Sequence, residues 1–351
     1  MNGVIAINSL IEFKETKMVF HKDKRIVLRL ALACALLPAF GGAQAQSAPA
    51  AAYPSKPIKF IVPVPAGGAA DVMARMIATH LQTAWGQAVV VDNKPGAGSS
   101  VGMAVVAKAA PDGYTIGMGN VAANAINPAV RPEAFPYDPV KDFAAVTMVG
   151  ITPLILVVNP QKVPARTLPE FLAYLKAHPG QLSYGSSGAG SALHVGMELF
   201  LQKTGTSMVH VGYKGSAPML TDLLGGQVDA AMDAAATSWP QVQSGKLRAL
   251  GVSTAQRVFF APELPPIAES VKGFEMNPWH GVMAPAGTPP AIVDKLAAEI
   301  QAFLRLPDTE AKLRERGVVR VGSSPAEFAK SLRDEAAFYK KLAADAGIKA
   351  E

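Results

Sequence analysis

The stretch "IKFIVPVPAGGAADVMARMIATHL", residues 58–81, joins a strand pattern to a helix pattern through two glycines. Its first seven residues are apolar except for one lysine, as in a buried strand, and from Val72 apolar residues recur every three or four positions, as on one helix face. A strand followed directly by a helix predicts the start of an α/β layer with a parallel sheet. The glycines leave three interpretations open: close packing, a phosphate loop, or an anion-binding helix start.

The same alternation of strand and helix patterns continues along the chain and predicts two α/β lobes. "QAVVVDN" and "YTIGMGN" are the next strands, and a second series begins after "PLILVVNPQKVP". Two late helices, "TPPAIVDKLAAEIQAFL" and "SPAEFAKSLRDEAAFYKKLAADAG", have too few strands beside them for a third core, so we expect them to pack on the first lobe. Thr167 to Glu170 and Ser324 to Glu327 are predicted capping boxes, and Thr288 a predicted N-cap.

The first 45 residues have the pattern of a secretory signal peptide. A basic start near Lys22 leads into an apolar run and ends in the small-x-small sequence Ala43-Gln44-Ala45. Met18 is an alternative start, because the residues before it place acidic side chains ahead of the basic region. The residues before Cys34 match a lipoprotein signal poorly, which disfavours a lipid anchor on this cysteine. We expect export to the periplasm.

Removing that segment changes the interpretation of charge and cysteine content. The whole chain has 33 basic and 27 acidic residues; cleavage after Ala45 removes 6 and 3, leaving 27 − 24 = +3. Such a balance does not favour nucleic acid as a partner. The single cysteine lies in the removed segment, so the mature chain depends on its core rather than on disulfides. The histidines form no metal-ligand spacing, and we predict neither a metal nor a cofactor.

The loop between the first strand and helix is the first candidate binding site. The N–H groups that begin a helix have no partner inside it and carry the positive end of the helix dipole, so they attract a carboxylate or phosphate. The competing interpretation is a tight turn in which Asp71 neutralises the dipole. No Gly-Lys-Ser/Thr follows, which disfavours a nucleotide loop. The candidate ligand residues here are Pro65, Ala66, Gly67, Gly68, Ala69 and Ala70.

The glycine-rich "NKPGAGSSVG", residues 93–102, resembles a dinucleotide loop only superficially. Its glycines are spaced G-x-G-x-x-x-G, one residue longer than the fingerprint, and no acidic residue follows at the right distance. A loop that faces a cleft is the better interpretation.

"SYGSSGAGSALH", residues 183–194, is again a strand, a loop of small residues and a helix. Hydroxyl and backbone donors at another helix start predict a second neutral anion site. The candidate residues are Ser186, Ser187, Gly188, Ser191 and His194. The alternatives are a capping or core role for His194, or a serine hydrolase with Ser187 as nucleophile, His194 as base and Asp233 as orienting acid. The G-x-S-x-G pattern of such enzymes is broken at Ala189, and we predict no catalytic residue.

The next strand ends add three further candidates. Tyr213 and Lys214 offer a ring, a hydroxyl and a cation after one strand, and Asp233 ends another. Each has a structural alternative: Tyr213 as a core residue, Lys214 as a solvated charge and Asp233 as a helix cap.

Several segments taken in order resemble one family closely. They are "VPVPAGGAADVMAR", "VDNKPGAGSSVG", "PDGYTIGMGN", "YGSSGAGSALHVGMELF", "VGYKGSAPMLTDLLGGQVDAAMD", "SGKLRALGVSTAQR" and "APAGTP". This combination is similar to the solute-binding receptors of tripartite tricarboxylate transporters, the Bug proteins. The chain departs from their usual pattern at Val64, where an aromatic residue is common, and at Ser99, where a glycine is common.

The resemblance implies a two-lobed periplasmic binding protein of the Venus-flytrap, type II-like fold, each lobe a mainly parallel sheet flanked by helices. It implies that residues 53–151 and 278–351 form lobe one and residues 152–277 form lobe two. It also implies a small carboxylate ligand held at residues 66–70 and 186–191, delivery to membrane permease subunits, a monomer and no enzymatic activity. A ligand-sensing receptor without a transport role is the alternative.

Overall fold

A computed structural model describes residues 53–346 of the 351-residue chain. The predicted signal peptide, residues 1–45, lies outside the described residues, as does the predicted end of the last helix at Gly347. The described residues belong to one compact unit.

The strands are short. Their bounds are β1 Ile58–Val62, β2 Val89–Asn93, β3 Thr115–Asn120, β4 Phe143–Ile151, β5 Leu154–Val158, β6 Ser183–Ser186, β7 Val209–Gly212, β8 Ala230–Ala234, β9 Arg248–Val252, β10 Trp279–Pro285 and β11 Val319–Arg320. Strands β4, β10 and β11 lie in segments for which no strand is predicted from the sequence.

Most helices follow a strand, although β5 follows β4 directly and two helices are consecutive after β10. Their bounds are α1 Ala69–Trp85, α2 Ser100–Ala107, α3 Asn127–Val130, α4 Leu168–Ala177, α5 Ala192–Thr204, α6 Ser216–Leu224, α7 Ala235–Gln243, α8 Pro290–Leu304, α9 Pro307–Glu315 and α10 Pro325–Ala346, with a π-helical turn at Ala122–Ile126 and 3₁₀ turns at Ala97–Ser99, Pro132–Ala134 and Ile267–Glu269.

The strands form two separate mixed sheets. The first has the order β11-β4-β10-β3-β1-β2, in which β1 is parallel to β2 and β3, whereas β10 is antiparallel to β3 and β4. The second has the order β7-β6-β8-β5-β9, in which β6 is parallel to β7 and β8, whereas β5 is antiparallel to β8 and β9. The α/β class with two sheets is confirmed.

Most strands of each sheet run in one direction, as expected, and the antiparallel strands have a topological reason. Strand β4 ends at Ile151 and β5 begins at Leu154, so this connection leads from the first sheet directly into the second. The chain leaves the second sheet after β9 and enters the first again as β10. A strand that leaves a sheet and a strand that enters it from the same side run in opposite directions, and β4 and β10 therefore pair antiparallel. The exact lobe boundaries, residues 53–151 with 278–351 and residues 152–277, remain a prediction.

The late helices pack on the first sheet, as expected. Helices α8 and α10 both contact β4. Helix α10 begins with the predicted capping box, in which the Ser324 hydroxyl accepts the Glu327 N–H at 3.2 Å and the Glu327 carboxylate accepts the Ser324 N–H at 2.8 Å. The Thr167 cap of α4 is present too. The Thr288 cap is wrong by one residue: its hydroxyl donates to the Pro285 carbonyl, and Pro289 holds the N-cap position.

Candidate functional site

Three parallel strands of the first sheet end at one edge, and a loop follows each of them. Strands β1, β2 and β3 end at Val62, Asn93 and Asn120. In open α/β sheets, ligands bind outside the carboxyl ends of the strands. This edge therefore brings together the loops 63–68, 94–99 and 121–126, which include two of the glycine-rich stretches.

The loop after β1 leaves the start of α1 without a side-chain cap. Gly68 is the N-cap, with φ −74° and ψ 169°, and no side chain accepts a hydrogen bond from the helix start. Gly67 has φ +92°, a conformation that favours glycine. Residues Pro65 to Gly68 are exposed, whereas the Ala70 methyl group is buried in the core. The first N–H groups of α1 are therefore a neutral set of donors at the molecular surface.

The carboxylate of Asp71 already accepts a hydrogen bond from one N–H group of that loop. Its carboxylate accepts the Gly67 N–H at 2.9 Å, the Arg75 guanidinium at 3.0 Å and the Asn93 amide at 2.8 Å. Burial of this carboxyl acts to raise its pKa, but the hydrogen bonds from Arg75, Gly67 and Asn93 outweigh it and the pKa is lowered. Asp71 is thus ionised in the first turn of α1. The donors left for an anion are those of residues 68–70.

A group of carboxamides near this loop was not among the predicted site residues. Asn120 donates through Nδ2 to the Ser99 hydroxyl at 3.3 Å and accepts the Ala123 N–H at 2.9 Å. Asn124 is fully buried in the π-helical turn and accepts the Asn120 N–H, but its Nδ2 has no hydrogen-bond partner within residues 53–346. Asn127 donates to the Gly98 carbonyl. The sequence signal was present: three asparagines spaced closely in the apolar stretch "GNVAANAIN".

The backbone beside these carboxamides is strained. Ala97 and Ser99 have φ values of +44° and +75°, which non-glycine residues rarely adopt. A side chain at Gly98 would approach the Asn127 amide to 2.7 Å. Strained loops and π-helical turns concentrate at functional sites, which supports this edge as the candidate site.

The second sheet has a corresponding edge. Strands β6, β7 and β8 are parallel there and end at Ser186, Gly212 and Ala234, and helices α5, α6 and α7 begin shortly afterwards. The predicted residues after these three strands are therefore gathered at one edge, although sequence separates them by up to about fifty positions. Their side chains differ in whether they are available to a ligand.

Ser186 is directed into the lobe. It is fully buried, its hydroxyl lies 2.7 Å from Nε2 of His210, and it accepts the Gly188 N–H at 3.1 Å. His194 is also internal: its Nδ1 accepts the Gly190 N–H at 3.0 Å and its ring stacks on His210 with centroids 4.0 Å apart. Burial lowers the pKa of His194, so the ring is neutral at pH 7. In this structure both residues shape the loop rather than present a polar group at its surface.

Ser187 and Gly188 remain part-exposed on the same loop. Gly188 has φ +122°, and Ser191 is the N-cap of α5, where its hydroxyl accepts the His194 N–H at 3.3 Å. His194, the predicted base, accepts the Gly190 N–H through Nδ1, and Asp233, the predicted orienting acid, accepts the Ser238 hydroxyl. The predicted arrangement of Ser187, His194 and Asp233 is therefore not formed, and Ser186, the serine that does contact a histidine, is fully buried.

The remaining candidates have mixed surroundings. The Tyr213 hydroxyl donates to Asp222 at 2.8 Å, and Lys214 is exposed. Asp233 is fully buried and accepts the Ser238 hydroxyl. Burial raises the pKa of Asp233, although the bond from Ser238 opposes this. Of these three candidates, Lys214 is the one whose side chain is exposed at the surface.

Two further properties of the described residues bear on the class of protein. Within residues 53–346 no set of three or more histidine, cysteine and acidic side chains is placed to hold a metal ion. In the same range, none of the helices combines the length and the apolar character that crossing a bilayer requires.

Two sheets with backbone donors in the loops at their strand ends are typical of an α/β protein that binds a ligand outside the carboxyl ends of its strands. Residues 73–348 match the family model "Tripartite tricarboxylate transporter family receptor". The chain belongs to this family, whose members are periplasmic binding proteins of the Bug type.

Individual relatives agree with this assignment. Protein BugT of Bordetella pertussis is 37% identical over 299 residues, covering 85% of this chain and 91% of BugT. The structure of R. palustris Rpa4515 with adipate is 37% identical, with a TM-score of 0.73 over 85% of this chain and 100% of that one. MatC of Rhodopseudomonas palustris with bound malate is 29% identical, with a TM-score of 0.68 over 83% and 99%.

Proposed function

We propose that this protein captures a small carboxylate in a cleft between its two lobes, in the periplasm, and delivers it to the membrane permease of a tripartite transporter. The observation that supports this most directly is the uncapped start of α1 at Gly68, beside an exposed loop without a charged side chain. Helix starts of this kind bind carboxylates through backbone N–H groups. The bound adipate and malate of the two Rhodopseudomonas palustris proteins are carboxylates of the proposed class.

The strength of binding requires more than one loop. A helix start stabilises an anion by about 0.3–2 kcal/mol, whereas a micromolar dissociation constant corresponds to about 8 kcal/mol. We therefore assign the ligand to both edges: residues 68–70 and the Ser99–Asn120 pair on the first, and Ser187, Gly188 and Lys214 on the second. Closure of the lobes, with water excluded, strengthens each polar contact.

The two-sheet arrangement supports the proposed lobes. Residues 53–151 with 278–351 contain the first sheet, and residues 152–277 contain the second. Two connections between the sheets allow one lobe to rotate on the other as a hinge. We propose a monomer, to be checked by light scattering with and without ligand. N-terminal sequencing of the periplasmic protein tests export, with Gln46 as the expected first residue.

Calorimetry on the purified mature chain tests the function. The panel contains di- and tricarboxylates, aromatic acids and acidic amino acids, and we expect at least one micromolar binder. A folded protein that binds none of them overturns the proposal. Transport is tested separately: deletion of the gene should abolish growth on the bound carboxylate, and normal growth with loss of a transcriptional response would indicate a sensor instead.

A further inference from the structure

His280 lies at the same sheet edge as the proposed carboxylate site. It is the second residue of β10, and its partners across the sheet are Asn120 on β3 and Gly150 on β4. Because β10 runs antiparallel to β3, its beginning lies beside the end of β3. The imidazole is therefore one strand away from the carboxamide group at Asn120, about 5 Å between backbones.

The ring also lies on the face of the sheet that α1 covers. The register of β10 shifts against β4 after His280, but its pairing with β3 is regular from His280 to Met283. Side chains therefore alternate between faces, and His280 shares its face with Val282. Val282 and Met118 pack in the same core cluster as Ala70 and Met73 of α1, whereas Trp279 belongs to the other cluster. His280 is thus on the edge and on the face where α1 begins.

One ring nitrogen of His280 lacks a hydrogen-bond partner among the described residues. Its side chain is part-exposed, yet its Nδ1 is buried and has no hydrogen-bond partner within the described residues 53–346. Burial lowers the pKa of His280 to about 4, so the ring is neutral at pH 7 and has one donor and one acceptor. Buried polar atoms in folded proteins are almost always paired, and an exception requires an explanation such as a ligand.

We propose that His280 determines ligand specificity by hydrogen bonding to a second polar group, a hydroxyl or second carboxyl, on the carboxylate held at the start of α1. This inference rests on the proposed function and adds the class of ligand. A plain monocarboxylate leaves the imidazole unpaired when the site closes, and the protein therefore binds it more weakly than a diacid or hydroxy acid of the same length.

The test is calorimetry with ligand pairs that differ in one group: adipate against hexanoate, and malate against succinate. The variants are His280→Phe, which keeps a planar ring without nitrogens, and His280→Gln and His280→Asn, which keep a donor and an acceptor. His178→Phe, at the end of α4, is the control for a histidine-to-phenylalanine change elsewhere. Thermal unfolding establishes that each variant is folded.

We expect wild type to bind the more polar member of at least one pair about tenfold more tightly, in line with one hydrogen bond. His280→Phe should lose that preference while its affinity for the less polar member stays within about twofold, and Gln or Asn should restore part of it. Equal losses for both members, or an unchanged preference, overturn the role of His280 while leaving the receptor function intact. Absence of binding to every carboxylate by folded wild type overturns both proposals. If His280→Phe does not fold, His280→Leu, which also lacks both ring nitrogens, replaces it in the comparison.

Discussion

The placement of the ligand carboxylate at α1 is tested most sharply at Gly68. This N-cap residue has φ −74° and ψ 169°, an extended conformation open to any residue, and a Cβ there would meet nothing closer than the Pro65 carbonyl at 4.0 Å. An aspartate at an N-cap accepts the N–H groups of the second and third helical residues. Gly68→Asp therefore supplies from within the chain the anion that we assign to the ligand.

Gly68→Asp should change the stability of the fold very little and the affinity for the ligand a great deal. An aspartate cap in place of glycine stabilises a helix by a few tenths of a kcal/mol, and the nearby Asp71 charge offsets part of this, so the free energy of unfolding should change by less than about 0.5 kcal/mol. A ligand carboxylate about 4 Å from the new carboxylate is repelled by about 4 kcal/mol at an effective dielectric constant of 20. The affinity should fall by about a thousandfold.

Gly68→Asn is the matched neutral cap, because it occupies the same N–H groups without charge. It should lose about 10- to 100-fold in affinity, the equivalent of one charge-assisted hydrogen bond. Gly68→Ala adds a methyl group but no acceptor, and it should stay within about fivefold of wild type at a cost of about 1 kcal/mol in stability. Calorimetry and urea unfolding measure the two quantities. Wild-type affinity in Gly68→Asp would refute the assignment, and equal losses in Asp and Ala would indicate a steric effect instead.

Three further predictions concern single residues. Gly67→Ala should destabilise the fold by about 1–2 kcal/mol in urea unfolding, because φ is +92° there; an unchanged midpoint would contradict this. Tyr213→Phe should keep carboxylate affinity within about threefold, since the hydroxyl already donates to Asp222, and a loss above tenfold would place that hydroxyl on the ligand. Burial raises the pKa of Glu335 from 4.5 to about 7, so between pH 4.5 and 7 the carboxyl is protonated in the folded state and ionised in the unfolded state. The free energy of unfolding therefore falls as the pH rises through this range, by up to about 3 kcal/mol. Glu335→Gln keeps an acceptor for the Trp279 N–H. This variant should be more stable than wild type at pH 8 but not at pH 4. The same difference in stability from wild type at both pH values would argue against titration of the Glu335 carboxyl.

The sequence by itself determined the class of the protein and the location of its loops. Many strands and helices have local signals, such as the apolar run before Pro63 and the Ser324–Glu327 capping box, and these signals predicted most of the elements. Strands β4, β10 and β11 and helices α3 and α9 were not predicted. The position of the loop at residues 65–68 was also visible locally, because a glycine pair separates the strand pattern from the helix pattern, although its role remained open among three interpretations. The short stretches that resemble the Bug receptors are also local features of the sequence, and they were enough to indicate a solute-binding receptor.

The tertiary structure decided which polar groups are free. Ser186 is bonded to His210 and the Tyr213 hydroxyl to Asp222, and the Gly67 N–H is held by Asp71. Such pairings depend on how strands align across a sheet, and the local sequence pattern carries no information about them. The same alignment brought His280 beside Asn120 across 160 positions of sequence. Strand direction was decided in the same way, because it depends on where the chain passes between sheets and not on the residues within a strand.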